Sequence, residues 1–419
     1  MKKVLSLLLV GLFVLGVVGL AKAEKVEITY WQYFYQTKKD TINELIKEFE
    51  QENPDITVNH VTFPYENYNT KVASSIPAGV GPNVINLYYG WLPTYIDAGY
   101  LQPLSKEYFD PVTIEQEFFP LVQAAKIDDS YYALPTAVRS LALIWNKDRF
   151  QEVGLDPEAP PKTLEQMLEY VQLLTETDRA GNVTKPGMTV EVRGQMHHWI
   201  REVLVRQFGG VPYAEDNRSV TYNDQGGYSA FEFFTDLTIK HKVGKVGFMT
   251  DDVTAFKSGR VGMYIDGSFR IGTLNKLKNL NYGIAELPSH QGIKSNFASF
   301  WANGITSHTK GKELAASIKF LQFLTSDKAM ELWLQKVGEL PAKPAVALQE
   351  KNANHPQYGP FIKGLEYAHA TYFVDEKAQR QVWIDAYDLV RLKEISVKDA
   401  VDQAAETEQK VLDKYYQDK

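Results

Sequence analysis

The chain has 419 residues, with 45 basic and 52 acidic side chains, 52 aromatic residues and no cysteine. Without thiols, a disulfide framework is excluded, a structural zinc site is disfavoured and no cysteine is available for lipid attachment. The acidic balance argues against nucleic acid as a partner, and the length exceeds what one core usually fills, so two lobes are expected.

Residues 1–23 read as an export signal: Lys2-Lys3, an apolar span from Val4 to Leu20, and Ala21-Lys22-Ala23 in the A-x-A form of a cleavage site. The rival reading is a retained anchor at the cell surface, because the span approaches transmembrane length. Cleavage removes three lysines and no acid, leaving 42 basic against 52 acidic side chains, a net charge of −10. Beyond it, Val26, Ile28 and Tyr30 alternate as a strand, and Ile42, Leu45, Ile46 and Phe49 recur at helical spacing until Asn53-Pro54. Ile56 and Val58 begin a second strand, residues 77–82 make a turn, Asn83 to Leu87 form a third strand, and Gly90-Trp91-Leu92-Pro93 opens a helix stopping near Gly99. This series predicts βαβ units with helices on both faces of a mostly parallel sheet.

The stretch 127–150 organises the rest. A polar turn at Asp128-Asp129-Ser130 leads into Tyr131 to Leu134, which Pro135 is expected to stop, and a continuous apolar run from Leu141 to Trp145 starts a second, doubly buried strand. Farther on, Thr163 and Gln166 form a capping box, Asp178 to Asn182 a turn, and Ser326 caps a helix. The turn at Asp178 has an acid and a glycine but lacks the alternating ligand spacing of a calcium loop, so it reads as a hairpin.

Tyr132-Ala133-Leu134-Pro135, Trp145-Asn146-Lys147-Asp148, Phe150, Gly154-Leu155, Pro157, Pro160-Pro161, Thr163 and Glu165 stand in the order and spacing of one family motif. Ala255-Phe256, Gly259, Met263 and Gly267-Ser268-Phe269 match a second. On these residues the chain resembles the extracellular solute-binding proteins of sugar-type ABC transporters, those similar to maltose-binding proteins. The resemblance implies an α/β, two-lobed periplasmic-binding-protein fold with three interlobe crossings. Residues 24–134 and 286–326 would form the first lobe, and 138–285 and 327–419 the second. The first hinge would fall at 133–137, the second near Leu287-Pro288 and the third near Thr325-Ser326.

Enzyme signatures are missing from the pattern. His197 and His198 are adjacent and diverge on a helix, and no HExxH, G-x-S-x-G or phosphate-binding loop occurs. Gly79-Val80-Gly81 lacks the third glycine of a dinucleotide loop, and the acid pairs Asp128-Asp129 and Asp251-Asp252 sit in turn contexts. No catalytic residue, metal or cofactor is expected. Aromatic residues cluster instead where strands end, at 30–35 and 88–91, where the ligands of open α/β sheets sit and where rings can cover the apolar faces of a sugar.

The resemblance adds positions. The loop after the first strand supplies Trp31, Tyr33, Tyr35 and Gln36, and the segment after Gly81-Pro82-Asn83 supplies Tyr88, Tyr89 and Trp91. Asn83 replaces the family's usual acid, and Phe269 its usual tryptophan. His198 and Trp199 lie where relatives carry polar and aromatic ligands, and Trp383 matches a late tryptophan. Trp301 and Asp385 complete the set. Arg139, where some relatives have a carboxylate, and Arg270 would suit an acidic sugar if both point at the cleft, or merely fix loops if a nearby acid holds each. The expected function is that of an importer's binding component, a monomer delivering a carbohydrate to membrane permease subunits. The alternatives are a receptor for a non-sugar or anionic solute and a secreted glycan-active enzyme.

Overall fold

The computed structural model describes residues 25–127, 129–392 and 395–417; the predicted export signal and Asp128 lie outside them. Alternation at Val26, Ile28 and Tyr30 becomes strand β1 (Val26–Tyr33), followed by helix α1 (Gln36–Glu52), whose buried Ile42, Leu45, Ile46 and Phe49 face the sheet. Strand β2 (Ile56–Phe63) pairs parallel with β1 along its full length, and β3 (Val84–Tyr88) pairs parallel on its other side. The parallel expectation holds for these three. The strand Asn296–Ile305 then adds antiparallel to β3, and Ala133–Asn146 antiparallel to that.

Pro135 does not end a strand. Ala133–Asn146 is continuous over 14 residues and serves both lobes: its first half pairs with Asn296–Ile305, its second half with Met263–Gly267 and Tyr282–Ala285. The register shifts between Trp301, opposite Ala137, and Ala302, opposite Pro135, so Thr136 is the extra residue of a bulge. Beside a bulge the ladder is already interrupted, and the missing proline N–H costs little.

The other two crossings also differ from expectation. Residues 286–295 stay with the second lobe, where Leu164 N donates to Ser289 O (2.9 Å) and Gln207 Nε2 to Pro288 O (2.8 Å). The strand Asn296–Ile305 is itself the second crossing. The helix Asp327–Val337, capped by Ser326 Oγ (3.3 Å from Ala329 N), packs on α1, with Lys336 2.9 Å from Glu44 and Lys328 2.9 Å from Glu48. It ends at Gly338, whose φ of 78° suits glycine in a left-handed helix stop. The chain crosses afterwards, at 338–343, where Leu340 and Val138 exchange two backbone hydrogen bonds of 2.8 Å. Thr325-Ser326 is thus an ordinary helix junction, and 327–337 belongs with the first lobe.

The second lobe is closed by the helices Gln225–Ile239, Glu376–Arg391 and Val397–Gln417 around Trp199, Phe231, Phe234, Trp383 and Tyr387. Inside it Arg201 and Glu408 form a fully buried pair (3.0 Å), with Tyr222 and Gln379 also 3.0 Å from the carboxylate. The carboxylate is thereby saturated, as a buried charge needs, whereas Arg201 bonds only through Nη2.

Candidate functional site

Period-two alternation puts Trp31 and Tyr33 on one face of β1. Because β1 runs on through Tyr33, Trp31 lies within the sheet, paired with Val61 and Ile85, 6% exposed and 4.7 Å from the Phe63 ring. Tyr33, at the strand's end, is similarly buried (7% exposed) but packs on a different partner, Trp301 (5% exposed), 4.2 Å away. Trp301 arrives on the second crossing strand and gathers Tyr88 (5.8 Å) and Trp91 (5.4 Å), while Tyr65, the first residue of the helix after β2, stands 5.6 Å from Tyr33 and 52% exposed. The carboxyl ends of three parallel strands and one crossing strand therefore build a single aromatic wall. Phe34 and Tyr35 are exposed beside it, and Gln36 is exposed with its amide bonded to Asp40 (2.8 Å).

At the foot of the wall sits a charge triad joining two crossings to the first lobe. Glu339, buried on the third crossing, accepts from Lys38 Nζ (2.8 Å) on α1 and from Arg139 Nε (2.7 Å) on the first. Burial pulls Lys38 down to about 8, against the opposing pull of Glu339, and Glu339 itself is held below the usual carboxylate range by its two cations despite burial. Lys38 Nζ also lies 5.1 to 5.6 Å over the rings of Tyr33, Trp301 and Trp333.

Facing this, Phe269 is flanked by two guanidinium groups, Arg139 at 4.6 Å and Arg270 at 5.2 Å. Arg270 Nε donates to the buried Asp266 (2.7 Å), which also accepts from Gly267 N (2.7 Å) and Tyr264. Both arginines predicted as ligand cations are thus already paired with carboxylates, the loop-fixing alternative. The helix Glu376–Arg391 contributes Glu376 and Arg380, 3.4 Å apart. Burial raises Glu376, Arg380 opposing it; burial likewise raises the Tyr65 hydroxyl, with Glu376 next in influence and Arg380 opposing.

His197 and His198 lie on a segment with wide π-type turns at Val192–Met196 and Trp199–Leu204, a distortion common at functional sites. His198 stacks on Phe297 at 3.7 Å, and His197 Nδ1 lies 2.9 Å from Gly194 O. Burial keeps both rings neutral, His197 pushed down to about 3 and His198 well below its ordinary value.

Five residues expected at the site have other surroundings in the structure. Trp31 packs in the first lobe's interior. Trp199 is fully buried against Phe233 and Phe234. Trp383, 1% exposed, packs on Tyr222 and Phe231 inside the second lobe; Glu376 and Arg380 share its helix face but stand two turns and one turn nearer the helix start, toward the cleft. Asp385 is exposed on the helix's other side and bonded to Gln381 (2.7 Å). Tyr89 stacks on Phe300 (4.9 Å) and meets the wall only through Tyr88 (4.8 Å). The residues that sequence reasoning missed are Lys38, Tyr65, Glu339, Glu376 and Arg380. Only the last two had a local signal, an acid and a base spaced i, i+4.

Among the described residues no helix is long and apolar enough to cross a membrane, and no group of three or more His, Asp or Glu residues is arranged to hold a metal.

Residues 44–360 match the family model of bacterial extracellular solute-binding proteins. The chain is 26% identical over 418 residues to the sn-glycerol-3-phosphate-binding periplasmic protein UgpB of Escherichia coli O6:K15:H31, covering 88% of this chain and 90% of that one. Its fold superposes on the cyclic alpha-maltosyl-1,6-maltose binding protein of Arthrobacter globiformis, with a TM-score of 0.82, 22% identity and coverage of 93% and 99%. It also superposes on the maltose/maltodextrin-binding domain of Bdellovibrio bacteriovorus bound to maltotriose, with a TM-score of 0.72, 23% identity and coverage of 92% and 100%. With three quarters of its length matched by the family model, the chain belongs to the bacterial extracellular solute-binding proteins.

Proposed function

We propose that this protein is the receptor component of an ABC importer, exported by residues 1–23, monomeric, and closing its two lobes on a carbohydrate that it passes to permease subunits. The observation that carries the reading is the aromatic wall of Tyr33, Tyr65, Tyr88, Trp91 and Trp301, opposed by Phe269 and the Glu376–Arg380 pair. Rings cover the apolar faces of a sugar while charged and amide groups take its hydroxyls. Ligand stabilises the closed form through contacts made with both lobes at once, and the receptor performs no reaction on it. The solved relatives named for maltosyl-maltose and maltotriose support an oligosaccharide.

A second reading, an anionic solute, rests on the triad at the wall's foot, where Lys38 and Arg139 share the single carboxylate of Glu339. The relative named for glycerol phosphate points the same way. A thermal-shift screen of the mature protein against neutral oligosaccharides and phosphorylated or carboxylated polyols separates the two. Ligand at 100 times its Kd adds about 2.7 kcal/mol of stability, a readily visible shift. Stabilisation by neutral oligosaccharides supports the first reading, stabilisation confined to anions the second, and release of sugar products by the protein refutes both.

A further inference from the structure

Phe300 and Trp301 are neighbours on a crossing strand, so their rings leave opposite faces. Trp301 faces the aromatic wall; Phe300 faces Tyr89 and, through it, Phe373. On that second face lies a cavity of about 820 Å³, lined from the first lobe by Tyr89 and Lys126 and from the second by Arg206, Arg218, Thr371 and Tyr416, among others. Its size falls within the range of small-molecule sites, and none of the wall residues proposed above lines it.

The lining carries three cations, Lys126, Arg206 and Arg218, against one carboxylate, Asp216, whose Oδ1 accepts from the Arg218 backbone N–H (2.9 Å). Lys126 is bonded to Glu115 (2.9 Å) and Arg206 to Glu202 (3.2 Å), but Arg218 has no carboxylate within ion-pair distance among the described residues. Its guanidinium instead lies 4.7 Å over the Tyr416 ring, whose hydroxyl is 2.6 Å from that of Tyr372. Thr371 is fully buried and its hydroxyl has no hydrogen-bond partner. An orphaned buried hydroxyl costs free energy, and turning χ1 toward the cavity would break no bond in the protein.

We propose that this cavity is a second binding site, for an anionic polyol. Arg218 holds the phosphate or carboxylate in a forked contact, tyrosine rings cover the carbon skeleton, and Thr371 takes a hydroxyl. The reading stands independently of what occupies the aromatic wall.

Calorimetric titration of the mature protein with glucose 6-phosphate, glucuronate, glucose and inorganic phosphate tests it. One of the two anionic sugars is expected to bind about tenfold more tightly than glucose or phosphate alone, and Arg218→Gln to remove about that tenfold. Thr371→Val is expected to weaken binding about threefold with Tm unchanged or raised, since the hydroxyl satisfies nothing in the free protein. No binding, binding unchanged in both variants, or equal affinity for glucose and its anionic derivatives overturns the proposal. A fall in Tm on Thr371→Val overturns the role of that hydroxyl. Neither residue touches the aromatic wall, so oligosaccharide binding by the same variants reports on the wall separately.

Discussion

Replacing Glu339 with Gln tests the triad most directly. The carboxylate is 1% exposed and the Lys38 side chain 3%, so the substitution leaves a buried ammonium without its counter-ion, together with the partly buried Arg139. Breaking a buried pair in this way costs about 3–5 kcal/mol, much of it the desolvation of the charge left behind. The deficit should depend on pH in a defined direction. Lys38 binds its proton less tightly in the folded chain, at about 8, than at the ordinary lysine value of 10.5. Between those values the unfolded chain holds more protons, and this group's contribution to stability rises with pH. Removing Glu339 takes away the interaction that raises the folded value, so Lys38 loses its proton earlier and the variant recovers part of its loss on the alkaline side. Urea denaturation of wild type and variant at pH 7 and pH 9.5 measures this. A loss below about 1 kcal/mol at pH 7, or a deficit that grows toward pH 9.5, would refute the account of Glu339 as the counter-ion of two buried cations.

Tyr65→Ala removes a half-exposed ring, so it should change stability by less than about 1 kcal/mol while weakening the cleft ligand about tenfold, as read by calorimetry. Trp31→Phe and Trp383→Phe should each cost about 1–3 kcal/mol and leave ligand Kd within about twofold, since both rings are interior packing; Trp91→Phe should alter the ligand-induced fluorescence change. If a neutral sugar is the ligand, its uronic-acid counterpart should bind within about threefold of it, because Arg139 and Arg270 already have carboxylate partners; a large preference for the acid favours the anionic reading. His197, pushed from 6.5 to about 3, stays neutral when folded, so the unfolded chain takes up more protons in that window and stability falls as pH drops through it. His197→Asn should flatten this acid limb in thermal melts from pH 7 to pH 4, and an unchanged limb would assign it to other groups.

Local chemistry made several elements of both lobes legible. Alternation at Val26, Ile28 and Tyr30, the spacing of Ile42 to Phe49 and the caps at Thr163 and Ser326 act within a few residues, and each appears in the structure where the pattern put it. The family motifs around Pro135 and Trp145 carried the two-lobed architecture. Aromatic clustering at strand ends drew attention to Tyr33, Tyr88 and Trp91, which the structure gathers around Trp301, because a strand's end is a local property and the rim of an open sheet follows from it.

What tertiary structure alone decided was which side of an element faces the cleft and where the chain crosses between lobes. Pro135 reads as a stop in isolation, but the bulge that accommodates it is made by the partner strand at Trp301 and Ala302. Trp383 reads as a ligand and Arg380 as surface until the packing of Trp383 on Tyr222 and Phe231 fixes which turns of their shared helix face lie inside the lobe. Lys38, Arg139 and Glu339 come from positions up to 301 residues apart, and nothing near any of them announces the other two. A buried charge takes whichever counter-ion the fold brings within reach, so the sequence determined the elements and the family architecture, while the pairing of distant charges emerged only when the first and third crossings came to lie beside α1.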